Sequence, residues 1–229
     1  MSKIELVTRT EGVGKYKGMT SEDIISAIAR HGVIKEDNGK LVKYLMTNKH
    51  WSPLDMINFG FEVTTSRAIA RQWLRHSSLK PQEHSQRYSD KVEFETIELR
   101  KEDKVNRQSS IEIFNPVIKY RDFINTGDIF TSKSDVIISE LLDFVESVYH
   151  GLIEAGVAKE CARMILPECT STTLTFNGSL RSWLSFLNVR LDHHAQKEIV
   201  DLAYLIGKEL EQELPNVFKS IDWEKGMFM

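Results

Sequence analysis

Between Arg71 and Ser89 the chain reads RQWLRHSSLKPQEHSQRYS, which puts Arg71, Arg75, Lys80 and Arg87, the imidazoles of His76 and His84, five hydroxyls and one acid, Glu83, within 19 residues. Ala68, Ile69, Trp73 and Leu74 recur at helical spacing, and Arg67, Arg71 and Arg75 form an i, i+4, i+8 row on that helix. Like charges in such a row repel, and a plain surface helix would interleave acids, yet none occurs between Arg67 and Glu83. The apolar pattern stops at His76, and Pro81 disfavours helix just before it. A row of cations running into a polar loop is chemistry for an anion, above all a phosphate. The plainer account is a solvated basic helix followed by a loop.

A second group lies about a hundred residues later: Ala162-Arg163-x-x-Leu166-Pro167, Ser179-Leu180-Arg181-Ser182-Trp183, and Phe186-Leu187-x-x-Arg190-x-x-x-His194-Ala195-Gln196-x-Glu198-Ile199. A fixed guanidinium such as Arg190 can stabilise negative charge in a site shielded from water. Its plain alternative is a surface ion pair with Asp192 or Glu198, a kind of contact worth little. His193-His194 with His76, His84 and Glu198 raises a metal site, but H-x-x-x-H and H-x-x-E-H spacings are missing, so no metal is expected. Cys169 as a covalent nucleophile lacks a Pro-Cys-His context. A non-enzymatic module for single-stranded nucleic acid would use the same cations, with Trp73 and Tyr88 as stacking platforms.

Several elements must position these groups. Thr20 to Asp23 before Ile24, Ile25 and Ile28 read as a capped helix stopped by Gly32, and Leu41–Met46 as a short second one. Asn58–Thr64 alternates Phe59, Phe61 and Val63 with polar residues, the pattern of a half-buried strand leading into the cationic helix. Val92–Leu99 alternates again and predicts another strand. Residues 100–132 are charged and irregular, and an insertion or mobile segment is expected there. Val136, Ile137, Leu141, Phe144, Val145, Val148 and Leu152 predict one long core-forming helix over Ser134–Ala155. Two more helices are expected, from Leu180 to Val189 and from His194 to Leu210, the latter with Ile199, Leu202, Ala203 and Ile206 on one face. With no internal repeat or linker, the chain reads as one α+β domain over residues 1–229.

Composition agrees with a soluble globular protein: 41% hydrophobic and 28% charged residues. The net charge of −3 makes the basic stretch a local feature and argues against binding a nucleic-acid polymer. No apolar run approaches a membrane span, the N-terminus lacks a signal-peptide core, and two cysteines make no disulfide framework. A cytoplasmic location is expected, the host's cytoplasm for a viral chain.

The cationic stretch resembles the signature of the flavin-dependent thymidylate synthases, an Arg-His-Arg triplet, seven residues, then Ser. Here it reads Arg75-His76-Ser77, seven residues, Ser85, within an intact RQ-x-x-RH…QE-x-S-x-RY frame, with Ser77 where the signature has arginine. His50-Trp51-Ser52-Pro53-Leu54-Asp55 is similar to the family's His-x-Ser-Pro-Phe-Glu box, Asn106-Arg107-Gln108 resembles a family loop, and the blocks from Ala162 to Ile199 resemble its C-terminal half. The resemblance implies a mixed or antiparallel sheet packed by long helices and a homotetramer with shared active sites. It also implies conversion of dUMP to dTMP, with carbon from methylenetetrahydrofolate and hydride from FAD reduced by NADPH. By the same resemblance, Arg190 acts on the uracil ring, and Gln72, Arg75, Glu83, Ser85, Gln86, Arg87 and Arg163 bind dUMP with it. FAD falls to Ser52, Arg75, His76, Ser77, Glu83, Ser179, Arg181, Ser185 and His194, with His50 also near the flavin. Departures at Ser77, Asp55 and Ser185 keep open a related hydroxymethylase acting on a pyrimidine nucleotide.

Overall fold

The computed structural model describes residues 2–36, 38–106, 109–122, 126–226 and 228–229. In chain order the strands are β1 (Lys3–Arg9), β2 (Asn58–Ser66), β3 (Lys80–Glu83), β4 (Arg100–Glu102), β5 (Ser110–Ile113), β6 (Val117–Arg121), β7 (Ile129–Lys133) and β8 (Ser171–Ser179). The helices are α1 (Ser21–Ala29), α2 (Lys40–Thr47), α3 (Arg67–Trp73), α4 (Ser134–Glu154), α5 (Lys159–Ala162), α6 (Leu180–Arg190), α7 (Lys197–Glu213) and α8 (Pro215–Phe218). The chain divides into two compact units, Met1–Glu83 with Thr172–Met229, and His84–Ser171. The fold is α+β.

The first unit holds a four-stranded sheet in the order β1-β2-β8-β3. β1 runs antiparallel to β2, from Lys3 opposite Thr64 to Arg9 opposite Phe59, and β3 antiparallel to β8, from Lys80 opposite Asn177 to Glu83 opposite Leu174. Both central strands run directly into a helix through a serine. Ser66 Oγ accepts the Ile69 N–H at 3.4 Å to cap α3, and Ser179 Oγ accepts the Ser182 N–H at 3.2 Å to cap α6. The two helices share a fully buried aromatic core. Trp73 stacks on Phe186 at 4.2 Å and on Phe176 at 5.1 Å, while Trp183 donates to the Phe59 carbonyl at 2.9 Å. Truncating a buried tryptophan of this kind costs about 3–5 kcal/mol, enough to lose the alignment of α3 and α6. Because Trp73 is 0% exposed, it is no stacking platform for a base, which removes half of the nucleic-acid reading.

The second unit departs further from expectation. Val92–Leu99 forms no strand; it makes an isolated bridge, Phe94 opposite Thr170, flanked by Glu95 N–H to Cys169 O and Ser171 N–H to Glu93 O. Alternation there reflects only Val92 and Phe94 turning toward a small core around Tyr149 and Ala162. Among the described residues of 100–133, β4 pairs antiparallel with β5 and β6 antiparallel with β7; Arg107 and Gln108 of the Asn106 loop lie outside the described residues. Helix α4 runs Ser134–Glu154, within a residue of its expected end, and is core-forming only in its C-terminal part, where Leu152 and Ile153 pack with the buried Tyr149. Only Ser134 and Tyr149 are buried, and Val136, Leu141 and Phe144 are 47%, 55% and 43% exposed. The last long helix begins at Lys197, which leaves His194 in the preceding turn.

The closure of the first unit rests on one buried acid. Glu22, in the capping-box turn of α1, accepts from the Asn216 N–H (2.7 Å), Asn216 Nδ2 (2.6 Å) and the Val217 N–H (2.8 Å), satisfying the start of α8. Hydrogen bonds to an ionised group are worth about 1.5–3 kcal/mol, and orphaned buried donors add a desolvation cost. Glu22→Ala should therefore lower unfolding stability by roughly 2–4 kcal/mol, measured by urea denaturation. A change within experimental error would show that the acid is not holding α8.

Candidate active site

The C-terminal ends of α3 and α6 meet at one side chain. Arg190, in the last turn of α6, donates from Nε to His76 Nε2 at 2.8 Å and from Nη2 to the Gln72 carbonyl, in the last turn of α3, also at 2.8 Å. The second bond satisfies a carbonyl that the end of a helix leaves without a partner, at the negative end of its dipole. The expected alternative for Arg190, a pair with Asp192 or Glu198, is not made. His76 packs edge-on against Phe186 at 5.0 Å, so the aromatic core sets the ring that receives the guanidinium.

An N–H donor aimed at Nε2 requires that atom to be unprotonated, so His76 is the neutral imidazole carrying its proton on Nδ1. Burial, and after it the Arg190 charge, pushes His76 down to about 4. Burial and the charge of Arg75 lower Arg190 in turn. Among the described residues neither Arg75 nor Arg190 has a carboxylate partner. The end of α3 therefore carries two mutually repelling cations, and a bound anion would relieve that repulsion. Two of the five guanidinium hydrogens of Arg190 are committed and three remain for a ligand. Beside it opens a cavity of about 380 Å³ lined by Asn188, Val189, Arg190, Asp192, His194 and Ala195. Gln72 is held by Gln196, its Nε2 donating to Oε1 at 2.7 Å.

The other expected residues fall into separate groups. Ser179 and Arg181 both bind Asp55, at 3.0 and 3.2 Å, and Ser185 is exposed one helical turn beyond Arg181. Ser52 is exposed at the start of the short 3₁₀ turn that carries Asp55, and His50 is exposed just before it. Glu83 accepts from Thr172 at 2.8 Å and lies 3.8 Å from Arg67. Ser77 is exposed, and its carbonyl accepts from Lys80 Nζ at 3.0 Å. Ser85, Gln86, Arg87 and Arg163 belong to the second unit. There Ser85 Oγ accepts the Arg87 N–H, the Arg87 guanidinium pairs with Glu160 at 3.0 Å, Gln86 is buried, and Arg163 is half-buried in a 3₁₀ turn. Cys169 is a poor nucleophile, since burial, with the Glu95 charge, pushes its thiol up.

Sequence reasoning missed two of these partners. Asp55 stood out only as a departure from a box, yet it organises Ser179 and Arg181. Asp192 was weighed only as a partner for Arg190, and instead it accepts the His194 N–H at 2.8 Å.

Comparison with known proteins identifies the family. The family described as "Thymidylate synthase complementing protein" matches residues 11–216. The chain belongs to that family. It is 34% identical over 220 residues to the flavin-dependent thymidylate synthase of a Synechocystis species, covering 95% of this chain and 97% of the relative. The enzymes of the same name from Kosmotoga olearia and Thermosipho melanesiensis are 32% and 34% identical over 187 residues, each covering 81% of this chain and 76% of the relative.

A pH titration tests the geometry. Followed by NMR, His76 should titrate near 4, and Arg190→Met should move it upward by removing the nearby charge. Because the folded value lies below the unfolded one, the unfolded chain binds more protons between about pH 4 and 6.5. Stability should rise with pH across that window, and part of the rise should vanish in His76→Phe. A wild-type midpoint near 6.5 would contradict the neutral acceptor.

Proposed function

We propose that this protein is a flavin-dependent thymidylate synthase, converting dUMP to dTMP with methylenetetrahydrofolate as carbon donor, FAD as redox cofactor and NADPH as reductant. The observation that carries this reading is the uncompensated cation pair Arg75–Arg190 at a neutral His76, beside an open cavity, in a chain 34% identical to an enzyme of that name.

In this reading the free hydrogens of Arg190 face the uracil carbonyls. A guanidinium fixed at Nε and Nη2 meets negative charge developing on the ring without having to reorient. Arg75, with Arg87 and Arg163, takes the nucleotide phosphate, and Gln72, Ser85 and Gln86 complete the dUMP contacts. Residues present fit a flavin: Ser52, His76, Ser77, Ser179, Arg181, Ser185 and His194 offer hydroxyl, imidazole and guanidinium donors suited to a ring system and a diphosphate, and Glu83 adds an acceptor. Bound FAD, once reduced by NADPH, supplies the hydride that makes the transferred methylene a methyl group. No protein nucleophile is assigned. The exposed apolar side chains Val136, Leu141 and Phe144 of α4 support a homotetramer with shared sites, and the two free cysteines fit the reducing cytoplasm.

Mass spectrometry of the product formed from dUMP, methylenetetrahydrofolate, NADPH and FAD should give dTMP; a hydroxymethylated nucleotide would overturn the reaction. Arg190→Ala should abolish the product while FAD binding largely persists. Cys161→Ser with Cys169→Ser should keep turnover within about tenfold, or about 1.4 kcal/mol of barrier. A trapped cysteine–dUMP adduct would contradict this.

The serine at the third signature position carries a second expectation. Neutral hydrogen bonds contribute about 1 kcal/mol against roughly 1.5–3 for charge-assisted ones, so Ser77→Arg should tighten FAD binding about tenfold and raise its salt dependence. Lys80, folded back onto the Ser77 carbonyl, restores a cation at that place, and Lys80→Ala should loosen FAD. Flavin titrations at two salt concentrations check both. An unchanged or weaker affinity in Ser77→Arg would mean that the cofactor's charge lies elsewhere.

A further inference from the structure

We propose that the turn between α6 and α7 binds a late first-row divalent cation, such as Zn²⁺, through Asp192, His193 and His194. Consecutive side chains ordinarily diverge, and in the sequence this histidine pair had no third donor at metal-binding spacing. The turn brings one together with it. A carboxylate oxygen of Asp192 and ring nitrogens of His193 and His194 all lie within 4.8 Å of one another. The two rings sit 3.8 Å apart, and His193 Nδ1 is 3.9 Å from Asp192 Oδ2. Small side-chain rotations would close such a set onto an ion with bonds of about 2.0–2.2 Å. Two imidazoles with one carboxylate select zinc, cobalt, nickel or copper over magnesium or calcium, which prefer all-oxygen shells.

The turn is held in place rather than merely exposed. Asp192 Oδ1 accepts the His194 N–H at 2.8 Å, and the Asp192 carbonyl accepts the Ala195 N–H at 2.9 Å. Gly226, at φ +65°, packs so closely that a Cβ there would lie 2.8 Å from the Asp192 nitrogen. The Asp192 side chain is 17% exposed, against 80% for His193, and His194 is exposed as well, so the acid is positioned and both imidazoles are open to solvent. A hydrogen bond that orients a ligating carboxylate is a common support for a metal ligand. Arg190, two residues earlier, has its Nε and Nη2 committed to His76 and Gln72. Asp192 and His194 also line the cavity beside Arg190, so an ion here couples to that cavity.

The experiment is calorimetric titration of Zn²⁺ into the full chain after chelator dialysis, with and without FAD. One saturable site per chain is expected without FAD, weakened at least tenfold in both His193→Ala and Asp192→Asn, unaltered in His84→Ala, and weakened by FAD, which the proposed function also sets against His194. His193 is so exposed that its variant should retain the wild-type circular dichroism. Absence of saturable binding, or equal binding by wild type and His193→Ala, overturns the site. A second arm rests on the proposed function: Zn²⁺ should weaken dUMP binding to the wild type and leave His193→Ala unaffected. If Zn²⁺ binds but dUMP affinity does not move, the coupling to the cavity falls. If dUMP does not bind even without metal, the nucleotide reading falls and the metal site stands.

Discussion

The arrangement turns on one side chain that finishes two helices at once. Arg190 ends α6, and its guanidinium caps the last turn of α3 through the Gln72 carbonyl while resting on His76. The contact with His76 does not tolerate a second proton: a protonated imidazole would offer no acceptor and would set a cation against a cation. Partial burial enforces the neutral state, and the same burial makes the Arg75–Arg190 repulsion strong enough to matter. A site with positive charge fixed in direction but lacking, among the described residues, a carboxylate partner is prepared for an anionic ligand, which the proposed function takes to be the pyrimidine nucleotide.

What fixes that geometry is a repeated local device. β2 and β8 each pass through a capping serine into a helix, and the two helices lock through Trp73, Phe176, Trp183 and Phe186. The lock lies one turn behind the charged ends, so the charges are held by packing and not by one another. Asp55 does a similar task at the other end of α6, where it takes both Ser179 and Arg181. The polar groups nearest the proposed flavin are thereby arranged before any ligand arrives, which lowers the ordering cost of binding.

The parts legible in the sequence are those where one physical signal acted alone. The capped start of α1, the alternation of β2, the cationic helix α3 and the apolar face of α7 were all readable from spacing. β8, STTLTFNGS, gave no warning: its buried face mixes Thr172 and Gly178 with Leu174 and Phe176, and threonine hides the alternation. β1 and β3 escaped notice because they are edge strands with polar faces. In α4 the helix was readable and its environment was not, since an apolar stripe covered by other residues and one left exposed have the same spacing. At the site, residue types identified Arg190 and His76, but their bond joins positions 114 apart in sequence and only the packing of α3 on α6 makes it. Asp192 was hidden for a related reason, because a turn rather than a helical period brings it to His193 and His194.

The central claim is that neutral His76 aims Arg190, so that the two act on the nucleotide as one unit. A double-mutant cycle on dUMP affinity tests it most directly, using Arg190→Met, His76→Phe and the pair, with phenylalanine keeping the contact to Phe186. The account predicts strong non-additivity: each single change weakens dUMP binding by a similar factor, and the double change costs little more than either. Losses that simply multiply would show that His76 and Arg190 work independently, and the claim would fail.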